Sequence, residues 1–175
     1  MKQKRLLLPF THGVEMRAIE EAVQLARKEH ATLLPLSLLP SHERSNRLRF
    51  EHIQQSKDFL EAVKQKAARQ HVPVEPVELQ TDHPTRTINE FAHKHKVSGV
   101  VLLTRDGRGV LLSTNQVQHL LEKQTSLFYI IQLPTTISKR ILMNVLKSPA
   151  RLARRLSGTT AAEPSVEPPP DMAQV

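Results

Sequence analysis

Five apolar runs of strand length, RLLLPF, TLLPLSLLP, VPVEPVELQ, SGVVLLTR and SLFYIIQLP, follow one another in the first 134 residues, and each gap between them carries apolar residues at helical spacing. That alternation narrows the folds open to the chain more than any other feature. Strands joined through helices cannot pair as hairpins, so they lie parallel, and their crossovers are right-handed. The expected architecture is α/β: a five-stranded, mainly parallel open sheet with helices on both faces.

Individual segments agree with this order. Ala18, Ile19, Ala22, Val23, Leu25 and Ala26 mark the inner face of a first helix, and Ile53, Phe59, Leu60, Val63 and Ala67 form the stripe of a second, over Leu48–Gln70. Ile88, Phe91 and Ala92 supply a third inner face, with Asp82 or Thr85 as the expected cap. A short fourth helix is expected over STNQVQHLLEKQ. Pro35 cannot donate to a ladder, which places the second strand at or near an edge or gives it a bulge; Pro73 and Pro76 argue for an edge position for the third. The fourth run, SGVVLLTR, is apolar throughout and reads as central, covered on both faces.

Composition removes several function classes. There is no cysteine, so disulfides, thiolate metal sites and Cys nucleophiles are absent, as suits a reducing compartment. Aromatics make up only 3% of the chain, too few to stack a run of exposed bases, which makes nucleic acid an unlikely partner. The first apolar run, Leu6–Phe10, is too short for a signal sequence or a span, so a cytoplasmic protein is expected. His93 and His95 diverge by about 200° on a helix and cannot readily share one ion. No GxSxG elbow, Walker loop or HExxH sequence occurs. No catalytic residue and no metal site are expected.

In an open parallel sheet, ligands bind beyond the carboxyl ends of the strands where strand order reverses. Two loops meet that condition. Thr11, His12 and Gly13 follow the first strand. Thr104, Arg105, Gly107, Arg108, Gly109, Ser113, Thr114 and Asn115 lie between the fourth strand and the fourth helix. Glycines before a helix let backbone amides approach a phosphate, and Arg105 and Arg108 add positive charge. The same residues also describe a plain Asp106-Gly107 turn with Ser113 as an N-cap. Both readings stand at this stage.

Net charge is +8. After Pro134, all six basic residues, Lys139, Arg140, Lys147, Arg151, Arg154 and Arg155, lie in one amphipathic block, expected to be helical over 135–157. That block suits packing on its own domain or a sister subunit, a protein partner, or an anionic membrane surface at which the protein would sit peripherally. Residues 158–175 are Pro-rich and expected to be disordered.

The segments RLLLPFTHG with AIEEAVQLARKEHATLLPLSLLP, then TDHPTRTINEFAHKHKVSGVVLLTRDGRG, then STNQVQHLLEKQTSLFYIIQLP, resemble the universal stress protein family across about Lys4–Pro134. The resemblance implies a nucleotide-binding-like domain and homodimers paired through the last strand, Ser126 to Gln132. The ATP motif of the family is degenerate here. Thr11 stands where an acidic residue follows the first strand, Gly107 and Gly109 are separated by one residue rather than two, and Ser113-Thr114 follows after only a few residues. The expectation is a non-catalytic stress-related regulatory module with weak or absent nucleotide binding and no cofactor. The alternatives are an ATP-binding sensor using a shortened glycine loop, and a docking protein acting through the basic block.

Overall fold

The computed structural model describes residues 4–41, 46–123 and 126–135. In chain order the elements are β1 (Arg5–Phe10), α1 (Met16–Lys28), β2 (Thr32–Leu39), α2 (Asn46–Arg69), β3 (Val77–Gln80), α3 (Pro84–Lys94), β4 (Gly99–Arg105), β5 (Arg108–Val110), α4 (Thr114–Lys123) and β6 (Phe128–Gln132). The basic block, from Lys139 to Arg155, and the Pro-rich tail lie outside the described residues.

All five expected strands and four helices are present, together with a short sixth strand, β5, that the apolar pattern does not announce. The sheet runs β3-β2-β1-β4, and both β5 and β6 pair with β4. Every pairing is parallel except β4 with β5. The strand order reverses between β1 and β4, which puts the carboxyl ends of these two strands side by side.

Two prolines shape the ladders. Leu33 exchanges backbone bonds with Pro73 and Glu75, so alternate residues of β2, Pro35 among them, turn their polar groups toward β3. Pro35 has no N–H to offer there, and β3 is correspondingly split into an isolated bridge at Val74 and the strand Val77–Gln80, which begins opposite Leu36. In β1, Arg5 exchanges bonds with Ser98, so Arg5, Leu7 and Pro9 face β4. The β1–β4 ladder stops at Leu7, before the residue that cannot donate.

Side chains divide by parity across the sheet. Leu6, Leu8, Phe10, Leu33, Val101 and Leu103 pack with Ala18, Ile19, Ala22, Val23, Phe59 and Val63 under α1 and α2. Leu7, Leu34, Leu36, Val100 and Leu102 pack with Ile88, Phe91, Val117 and Leu120 under α3 and α4. Phe10 stacks on Phe59 with ring centroids 4.2 Å apart, tying α2 to the end of β1. β4 is buried from Gly99 to Leu103 and is central, as its uniform apolarity predicts.

Three crossovers close in the same way. The C-terminal ends of α1, α2 and α3 form Schellman motifs, with 6→1 bonds from Ala31 to Ala26, Val72 to Ala67 and Val97 to Ala92. The left-handed residue in each is not glycine: His30 (φ 50°), His71 (φ 56°) and Lys96 (φ 50°). At its other end α3 departs from expectation. His83 is the N-cap residue without a side-chain bond, and neither Asp82 nor Thr85 caps. Asp82 instead accepts the Ser41 amide, and Pro84 occupies the first turn, where its missing N–H costs nothing.

Candidate functional site

A β-strand has two edges, and β6 occupies one edge of β4 from Val100 to Thr104. On the other edge β1 pairs with Gly99 and Val100, then β5 takes over at Leu103, Thr104 and Arg105. The hairpin therefore folds back into the gap that Pro9 opens between β1 and β4. Asp106 (φ 50°) and Gly107 (φ 75°) are both left-handed, the conformation of a type I′ two-residue turn, and Arg105 pairs directly with Arg108.

The segment after β5 completes the filling. Leu111 and Leu112 are buried on opposite sides of the sheet, one in each core. The Leu111 carbonyl accepts the amides of Thr11 (2.9 Å) and His12 (3.4 Å), the backbone groups at the end of β1. Leu111 holds φ 70°, an unusual conformation for a bulky side chain and a sign that tertiary packing dictates this bend. At Gly109 the approach is close: a Cβ would lie 2.4 Å from the Leu112 carbonyl oxygen and 3.0 Å from Val117 Cγ2.

The polar side chains of the two loops are turned on one another. Ser113 and Gln116 make a capping box, Ser113 N donating to Gln116 Oε1 (2.9 Å) and Gln116 N to Ser113 Oγ (3.3 Å). Thr11 Oγ1 also donates to Gln116 Oε1 (3.0 Å) and lies 2.9 Å from His12 Nδ1. Thr114 Oγ1 accepts the Gly109 amide at 3.2 Å. The Arg105 guanidinium is paired with Glu15, and its Nε is buried without an acceptor. Gly13 N reaches Gln55 Oε1 at 3.4 Å.

Thr11, Thr104, Arg105, Gly109, Ser113 and Thr114 are thus gathered at one rim, with their hydrogen bonds largely spent inside it. His12, Gly13, Arg108 and Asn115 are exposed beside them. Gly107, at the hairpin tip, has open space around its Cα.

What stays open lies on the β2–β3 side. A crevice of about 360 Å³ is lined by Thr11, His12, Leu38, Pro40, His52, Thr81, Asp82, Pro84 and Gln116. Of these, sequence reasoning named only Thr11 and His12 as site residues. The spacing of Ser113 and Gln116 is a readable capping-box signal that would have drawn Gln116 in; Leu38, His52 and Thr81 arrive only through topology. A larger concavity, about 960 Å³, lies between the C-terminal ends of α1 and α2. Its Arg27, Lys28, His30 and His71 complement the negative ends of those helices, and the strand ends that gather ligand groups in this topology lie elsewhere. We place the candidate site at the crevice.

Among the described residues, no cluster of three or more His, Asp or Glu side chains is arranged to hold a metal ion. His95 stacks on Phe91 at 4.0 Å. No described helix is long and apolar enough to cross a membrane.

Residues 3–123 match the model of the universal stress protein family. The chain belongs to the universal stress protein family. No curated protein sequence matches it. Among solved structures, a universal stress protein from Archaeoglobus fulgidus is similar at TM-score 0.59 and 17% identity, covering 73% of this chain and 93% of that one. The A. fulgidus protein in complex with dAMP gives 0.58 and 16%, covering 75% and 99%. A universal stress protein family member from Arabidopsis thaliana with AMP bound gives 0.54 and 12%, covering 77% and 94%. These likenesses establish the mainly parallel open sheet with its flanking helices as the family's nucleotide-binding-like fold.

Proposed function

We propose that this universal stress protein is a non-catalytic regulatory module with weak nucleotide binding, confined to the nucleoside end of the ligand. The observation that carries the reading is the Leu111 carbonyl taking the Thr11 and His12 amides while β5 fills the gap between β1 and β4. A triphosphate laid along the glycine hairpin would have to displace buried Leu111 and Leu112 and unmake the Ser113–Gln116 box. The crevice beside it keeps the features of a small-molecule site: an apolar wall at Leu38 and Pro40 and a few convergent polar groups. Relatives with dAMP and AMP bound support a nucleotide as its occupant.

Two further parts belong to the same reading. With β5, Leu111 and Leu112 filling the place where a triphosphate would lie, ATP turnover is not expected. A second copy of the chain is expected to pair along β6, an edge strand whose outer side is unpaired among the described residues, where Leu127 and Ile130 are 62% and 58% exposed.

Equilibrium dialysis with labelled ATP and adenosine tests the site. Adenosine should bind weakly, and ATP binding should be indifferent to Gly107→Ala and Arg108→Gln. Saturable micromolar ATP binding abolished by those two substitutions would return the phosphate site to the hairpin, and phosphate release above background would remove the non-catalytic assignment.

A further inference from the structure

The crevice does not end at Asp82, Pro84 and Gln116. Those three residues also line a second cavity, about 420 Å³, that runs outward between α3 and α4 past His83, Thr85, Arg86, Asn115, His119 and Lys123. Toward β4 the crevice is closed by the chain itself. A ligand seated in it can extend outward along the α3–α4 groove.

The chemistry of that groove is cationic. Arg86 and Lys123 rise from α3 and α4, with His83 and His119 beside them. Glu90 accepts from Arg86 Nε and holds the guanidinium pKa above its ordinary value, which leaves the terminal Nη donors for another acceptor. His119 Nδ1 lies 3.5 Å from Glu122, and among the described residues no carboxylate forms an ion pair with Lys123. Asp82 is the acidic group at the junction of the two cavities, suited to accept a ribose hydroxyl and unsuited to a phosphate beside it. A sugar at Asp82 with its phosphate displaced outward toward Arg86 and Lys123 satisfies both.

We infer that this chain binds a nucleoside monophosphate with the phosphate in the α3–α4 groove, held by Arg86 and Lys123, and not at the glycine hairpin. The inference rests on the nucleoside reading of the crevice proposed above. Such phosphate contacts are charge-assisted but solvent-exposed, so their effect is modest and salt-sensitive.

Calorimetric titration of the full chain with adenosine and with AMP tests it, using the wild type, an Arg86→Gln/Lys123→Gln variant and an Arg108→Gln variant, each checked for an unchanged thermal transition. The wild type should prefer AMP over adenosine by roughly tenfold at low salt, a preference that the double variant reduces to within about twofold while adenosine affinity holds. Arg108→Gln should retain the wild-type preference. An AMP preference that survives in the double variant, or that disappears in Arg108→Gln, overturns the groove assignment and leaves the nucleoside site intact. Adenosine and AMP binding equally to the wild type does the same. If neither binds, the nucleoside reading falls and the inference with it.

Discussion

Five described residues other than glycine stand at positive φ, a backbone conformation that side chains disfavour, and three of them close helices. His30, His71 and Lys96 each close a helix in the left-handed region, where a non-glycine residue loses roughly 1–2 kcal/mol. Replacing each with glycine relieves that strain, and the extra freedom of glycine in the unfolded chain takes back about 0.4–1 kcal/mol. A net gain of about 0.5–1 kcal/mol per site follows, visible as a higher urea midpoint with an unchanged slope. Lower midpoints for all three variants would mean that these side chains make contacts outweighing their strain. The positions were partly legible: KEHA, RQHV and HKHKV follow helical stretches and end in apolar residues that pack on the cores, but a C-terminal signal without glycine is easily passed over. Gln116 was legible through its spacing from Ser113. Leu111 was not, because nothing in its neighbours requires a left-handed leucine.

The β4–β5 hairpin is the element on which the site turns. Its Asp-Gly tip is a strong local signal, and either reading of the loop begins with it. Which reading holds depends on where β5 lands, and that follows from Pro9, nearly a hundred residues earlier, ending the β1–β4 ladder. The two glycines consequently differ in role. At Gly109 a methyl group meets backbone atoms, so Gly109→Ala should lose about 1–3 kcal/mol through overpacking. Gly107→Ala has space for its methyl group and should lose only about 1–2 kcal/mol, from positive φ. The separation should widen for a larger residue: Gly109→Val should unfold near ambient temperature or fail to fold, whereas Gly107→Asn, which tolerates the left-handed region, should approach wild-type stability in a thermal melt. Equal tolerance at both positions would show that β5 is not wedged against α4.

At the scale of the whole molecule, the proposed assembly depends on β6, whose outer side is unpaired among the described residues. Ile130, within β6, and Leu127, just before it, are exposed, and the proposed homodimer would bury both. An Ile130→Lys variant should sediment as a monomer where the wild type sediments as a dimer, with little change in its circular dichroism. A wild type that is monomeric at tens of micromolar would remove the edge-pairing proposal.

Apolar periodicity along the chain was enough to set the number and order of the main strands and helices, the parallel sheet and the central place of β4, since each follows from which residues must leave water. The proposed direction of the site comes from the tertiary structure. Whether the glycine loop cradles a phosphate or plugs its own crevice depends on hydrogen bonds between Leu111 and Thr11, a hundred positions apart, and no local spacing encodes a pairing that exists only once two distant strand ends are brought together.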